Sequence, residues 1–210
     1  MRALAIAASL NVALHVLGLA LALGHLRPGT PLVPLGSRLG YLAARPLGWS
    51  IGWAVWMLCA LALVAFLAAV ARDAPNRARA ALAVTVAIAG AAVDLLCDTL
   101  QIVVLPQLAA RAAADATLFL AAERGLGAGG TVVANGLYSI AVLLMTLALP
   151  GRLPALGTVL GVATFLAGLG MVGAGFTGDP GQLEAATGAT LGAFIAWTVA
   201  VTWSLRRRTE

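Results

Sequence analysis

Six stretches of the chain are apolar for about the length of a membrane-crossing helix. They lie near 3–24, 49–71, 80–105, 130–149, 154–175 and 185–205; about 20 predominantly apolar residues let a helix cross the hydrocarbon core. No ~10-residue segment alternates in the manner of a barrel strand. Backbone groups in hydrocarbon must be bonded within their own helix. The pattern therefore predicts an all-α, polytopic membrane protein, one domain over residues 1–210 built as a bundle of six transmembrane helices.

The first stretch has the outline of a secretory leader, with Arg2 ahead of it and Ala20-Leu21-Ala22 in place of a cleavage site. Its apolar run is longer than the usual ~7–15 residues and holds Asn11 and His15. It is read as a retained helix. The connections on one side are short. Those on the other are longer: residues 26–48 carry Pro28, Pro31, Pro34 and Pro46, which preclude one continuous helix. The run GSRLGYLAA between them suits a short interfacial helix. Residues 107–124 read either as a second interfacial helix, with Leu118, Phe119 and Leu120 toward lipid, or as an extension of the third span past Pro106.

Composition agrees with the pattern. Hydrophobic residues make up 61% of the chain and charged residues 10%, with mean hydropathy +0.99. That leaves too little polar surface to cover a soluble core. All 13 basic residues are arginine, set between the apolar stretches and not in an aromatic-interleaved patch, so no nucleic-acid partner is expected. Six spans put both termini on one side with Arg2, Arg72, Arg77, Arg79, Arg152, Arg206, Arg207 and Arg208. Arg27, Arg38, Arg45, Arg111 and Arg124 fall on the other. The excess of basic residues places both termini in the cytoplasm. Asp115, Asp179 and Glu184 fall on the opposite side and read as solvated. Cys59 and Cys97 sit inside apolar stretches without metal or disulfide spacing and read as small core residues; no metal and no cofactor is expected.

In the fifth span Gly157, Gly161, Thr164 and Gly168 share one face at i, i+4, i+7, i+11. Such a small-residue seam lets helices approach closely, within the chain or in a homodimer through Gly157 and Gly161. Gly168-Leu-Gly-Met-Val-Gly173 matches GxGxxG in form but lacks the strand–turn–helix setting that dinucleotide binding needs. Trp49, Trp53 and Trp56 make an i, i+4, i+7 stripe. Trp49 suits the membrane interface, and Trp56 lies about 10 Å deeper, as core or as pocket lining.

One polar constellation stands out. A charge inside a span costs about 2.5–3.5 kcal/mol on insertion scales and such residues face the bundle interior. The third span carries Asp94, Asp98 and Gln101 on one face at i, i+4, i+7, with Gly90 a turn earlier. The first contributes Asn11 and His15, the fourth Asn135, Tyr138 and Ser139. From the span centres and the helix rise, His15, Asp94, Tyr138 and Ser139 fall within about 2 Å of the midplane, and Asp98 and Asn135 about 7 Å toward the outside. Two carboxylates one turn apart in a low dielectric should not both be charged and would titrate as a unit, with an imidazole able to share the proton. This suits a proton relay, a cation site or a polar-ligand pocket, and Trp56 would favour an organic cation through its ring face. Asp94, Asp98, His15, Gln101, Asn135, Tyr138 and Trp56 are thus the candidate ligand- or proton-binding residues. No catalytic residue is assigned.

The expectation is a multi-pass protein, with the lipid bilayer as its partner. It would bind or translocate a small molecule, cation or proton through a polar cluster in the outer half of the bundle. A non-catalytic assembly or regulatory subunit, its polar groups serving as hydrogen-bonding glue, is a second reading. An intramembrane lipid-modifying enzyme using an acid–imidazole pair is a third. The runs LAARPLGWSIGWAVWMLCALALVAFLAAVA, DLLCDTLQIVVLP and VANGLYSIAVLLMTLALP resemble those of uncharacterised six-helix bacterial membrane proteins grouped only as domains of unknown function. The resemblance spans most of the chain. It implies six helices and a bacterial cytoplasmic membrane, and it carries no activity and no site residues.

Overall fold

The structure, a computed structural model, describes residues 2–112 and 115–207. Arg208 of the terminal arginine cluster and residues 113–114 of the 107–124 stretch lie outside the described residues. Among the described residues every regular element is helical: α1 (Arg2–Leu21), α2 (Leu35–Ala43), α3 (Leu47–Ala71), α4 (Arg77–Val103), α5 (Leu105–Arg111), α6 (Thr117–Gly127), α7 (Asn135–Ala148), α8 (Ala155–Thr177) and α9 (Pro180–Arg206). Six helical stretches, including one formed by α6, a π-helical segment and α7, are long and apolar enough to cross a membrane. That is the form of a multi-pass membrane protein.

Local chemistry sets the ends. Asn76 caps α4 by accepting from the Arg79 backbone N–H, and Asp179 caps α9 through Gly181 and Gln182, supplying acceptors for otherwise orphaned donors. Prolines 46 and 154 precede α3 and α8. Gly178 ends α8 in the left-handed region at φ 71°, where a Cβ would be strained.

The spans form a ring in chain order. Each of α1, α3, α4, α7, α8 and α9 packs on the next, and α9 closes back onto α1, as short antiparallel connections favour. Ile6, Leu58, Leu82, Leu96, Leu166 and Val199 point outward, each 49% or more exposed, an apolar outer surface of the kind a bilayer would cover. Inward, Phe66, Leu67, Val70, Met145, Trp197 and Val201 form the principal core. At the end away from the termini, α2, α5 and α6 build a second cluster with Leu26, Leu42, Trp49, Leu105 and Phe119. This is called the capped end below.

Several expectations change. The first span is α-helical only to Leu21 and continues as a π-helical turn, Ala22–Leu26. The fourth begins well before residue 130: α6 runs through a π-helical segment, Ala128–Ala134, into α7. Residues 107–124 divide between α5 and α6, because α4 ends just before Pro106, which sits in the first turn of α5. Phe119 is 1% exposed and faces the cap cluster, not lipid. Trp49 is 2% exposed, its indole donating to the Gln101 carbonyl at 2.8 Å beneath α2, so its ring packs inside the protein. Glu184, read as solvated, is partly exposed and pairs there with the exposed Arg27 at 3.0 Å. The Gly157–Gly168 seam is buried, and its Gly161 and Gly168 face Thr146 and Ser139 of α7 in the same chain.

Candidate binding site

A cavity of about 60 Å³ lies at the centre of the ring and takes lining residues from all six spans. Its size fits a few waters or one small ion, since a water needs roughly 10–15 Å³ on this measure. His15 comes from α1, Trp56 and Cys59 from α3, Asp94 from α4. Asn135, Tyr138 and Ser139 come from α7, Thr164 from α8, and Thr190 and Phe194 from α9.

The helices fix these groups by close approach. Gly90 leaves room on α4 for the Tyr138 ring: a Cβ there would meet Tyr138 Cε1 at 2.9 Å. So placed, the Tyr138 hydroxyl donates to Asp94 Oδ2 at 3.1 Å. The Asn11 carbonyl accepts from His15 Nδ1 at 2.8 Å, which assigns the proton of a neutral ring to Nδ1 and leaves Nε2 as the acceptor. The imidazole stands edge-on to Trp56, with centroids 6.3 Å apart, and tilted against Phe194 at 5.1 Å. Asn135 Nδ2 donates to the Gly130 carbonyl at 2.7 Å, which also accepts from the Asn135 backbone N–H at the end of the π-helical segment.

The hydroxyls share one property. Ser139 donates to the Asn135 carbonyl, Thr164 to Leu160 and Thr190 to Ala186, each at 2.8 Å. Their protons are held by their own helices, so what remains for the cavity is oxygen lone pairs. Tyr138 spends its proton on Asp94 in the same way. Together with the Asp94 carboxylate and His15 Nε2, the lining carries more acceptors than free donors, which are the Trp56 indole N–H and the Cys59 thiol.

Five of the seven candidate residues, Asp94, His15, Asn135, Tyr138 and Trp56, meet at this cavity. Asp98 and Gln101 do not line it. They are 3% and 8% exposed and lie one and two turns nearer the capped end on α4. Asn11, fully buried, donates to Thr198 across the α1–α9 closure at 3.3 Å. Sequence reading passed over Thr190 and Phe194, although their i, i+4 spacing toward Thr198 was a usable signal, and took Cys59 only as a core residue.

A second constellation was also missed. At the capped end Arg38 of α2 pairs with Glu123 of α6 at 2.9 Å, the side chains 10% and 11% exposed. The guanidinium lies 5.9 Å from the Phe119 ring centroid and also donates to the Val33 carbonyl at 3.5 Å. Tyr41 donates to the His25 carbonyl, and partial burial pushes its hydroxyl pKa up. Among the described residues no group of three or more His, Cys, Asp or Glu side chains is placed to hold a metal ion.

No family model matches the chain, and no curated protein and no solved structure matches it. The class is therefore defined by the fold and site alone: a six-span helical bundle with an acceptor-lined cavity at its centre.

Proposed function

We propose that this protein binds, and by that binding translocates or senses, a small monovalent cation in the central cavity, with both termini cytoplasmic and the capped end outside. The carrying observation is the acceptor-rich wall. Asp94, His15 and three hydroxyl side chains share this wall with the imidazole, phenol and hydroxyl protons already committed, and such a wall suits a species made of donors or positive charge. Trp56 and Phe194 add aromatic surface that favours a cation. The volume suits an ammonium-sized ion and excludes a drug-sized ligand. A central site touched by every span is also what rocking of one part of a bundle against another requires.

Thermal unfolding of the purified chain in ammonium chloride, against sodium chloride at equal ionic strength, tests the reading. Ammonium is expected to raise Tm, by linkage to a site present only in the folded state. Asp94→Asn should fold, since the amide keeps the shape and an acceptor for Tyr138, and should lose the ammonium-dependent shift. An equal shift in Asp94→Asn, or none in the wild type, would sink the proposal.

The reading as an assembly subunit draws on the Asn11–Thr198 and Tyr138–Asp94 bonds, which tie α1 to α9 and α4 to α7. It expects Asp94→Leu and Asn11→Leu to impair accumulation in the membrane equally, with no dependence on ammonium.

A further inference from the structure

Three buried polar atoms lie between the cavity and the capped end without a hydrogen-bond partner: Asp98 Oδ2, Gln101 Oε1 and Trp53 Nε1. Leaving such atoms unpaired is costly, so groups brought together in this way require an explanation. The antiparallel register of α3 and α4 sets the three residues at neighbouring levels of one helix pair. Trp49 of α3 bonds the Gln101 carbonyl of α4 at 2.8 Å. One turn deeper along α3 is Trp53, and one turn deeper along α4 is the level of Cys97 and Asp98. One further turn on each helix reaches Trp56 and Asp94, both in the cavity wall. The three orphaned atoms thus form the step between Trp49 and the cavity.

Their chemistry is two acceptors and one donor. A metal ion would be repelled by the indole N–H. A water satisfies all three, donating to Asp98 Oδ2 and Gln101 Oε1 and accepting from Trp53 Nε1–H, the three bonds typical of buried water. We propose that Asp98, Gln101 and Trp53 hold ordered water in the α3–α4 seam and that Asp98 relays protons through it between the capped end and Asp94. The inference rests on the cavity reading above and adds the proton as a second, coupled ion.

The transfer balances. A hydronium formed at the water site loses one O–H bond as Asp98 Oδ2 gains one, leaving neutral water. The Asp98 acid then gives that proton to the Asp94 carboxylate and is itself restored as a carboxylate. The two carboxyl groups stand at i, i+4, about 5–6 Å apart at Cβ, a gap one water closes. The groups within electrostatic reach of Asp98 are Asp94 and Cys97 on α4, Cys59 on α3 and Tyr138 on α7. Beyond Asp94, the cavity adds His15 from α1.

The test is a pH jump outside sealed proteoliposomes of the full chain, following the fluorescence of Trp56, isolated by subtracting the Trp56→Phe trace. Protonation of Asp94, which shares the cavity wall with that indole, removes a negative charge there and should change its emission. Asp98→Asn is expected to keep the amplitude and slow the response roughly a hundredfold, the scale of a lost proton-transfer group. Trp53→Phe, which keeps the ring and removes the N–H, and Gln101→Leu, which leaves both carboxylates in place, should slow it less, and serve if Asp98→Asn does not fold. Wild-type rates in all three variants would overturn the relay. So would a wild-type trace without amplitude. Either result leaves the cavity reading to stand or fall on the ammonium-dependent Tm.

Discussion

Arg38→Ala is expected to destabilise the capped end by about 3–5 kcal/mol, the scale for removing one partner of a buried ion pair. The substitution leaves Glu123 charged beneath α2 with one oxygen, Oε1, already lacking a bond, and removes the cation beside Phe119. The loss is a desolvation penalty, so it should vanish when the second charge goes too. Arg38→Met with Glu123→Leu is expected to return stability to the wild-type level or above it. Denaturant unfolding of Arg38→Met, Glu123→Leu and the double variant measures this as a double-mutant cycle. Cys59 offers an internal reporter, since it lines the central cavity. In a Cys97→Ser background, a membrane-impermeant thiol reagent should reach it faster in Arg38→Ala than in the parent. Unchanged stability and unchanged labelling would show that the pair does not hold the cap.

Gly168→Ala should cost about 1–3 kcal/mol, the usual penalty of overpacking. Two residues along the same helix, Gly170→Ala should stabilise by about 0.4–1 kcal/mol through the unfolded chain. The difference is geometric. A Cβ at Gly168 falls on the Ser139 side chain of α7, whereas at Gly170 it meets nothing within 4 Å. Gly161 repeats the first case against Thr146, and Thr146→Ala should recover part of the loss in Gly161→Ala. Tm values for the five variants decide it, and equal effects at 168 and 170 would mean that α8 does not seat on α7 through this seam.

Hydropathy and length revealed the six spans because a bilayer imposes its thickness on each helix separately, so the signal is local. The same holds for Asp94, Asp98 and Gln101 sharing a face, which follows from 3.6 residues per turn alone. The rest depended on neighbours. Asp94 and Asp98 differ by roughly 40° around α4, and that rotation separates a carboxylate meeting Tyr138 of α7 at the cavity from one sealed a turn nearer the cap. Nothing local distinguishes them. Likewise Arg38 and Glu123 are 85 residues apart, on two separate short helical runs, and nothing in either run pairs them until α2 is laid over α6. Trp49 looks like an interface residue until its indole finds the Gln101 carbonyl. The sequence alone determined how many helices are long and apolar enough to cross a membrane and which faces are polar, since those are properties of one helix in its solvent. Which polar groups meet, and whether they meet around a cavity or as a buried ion pair, was decided only by the tertiary structure, since pairing depends on the rotation and register of one helix against the next.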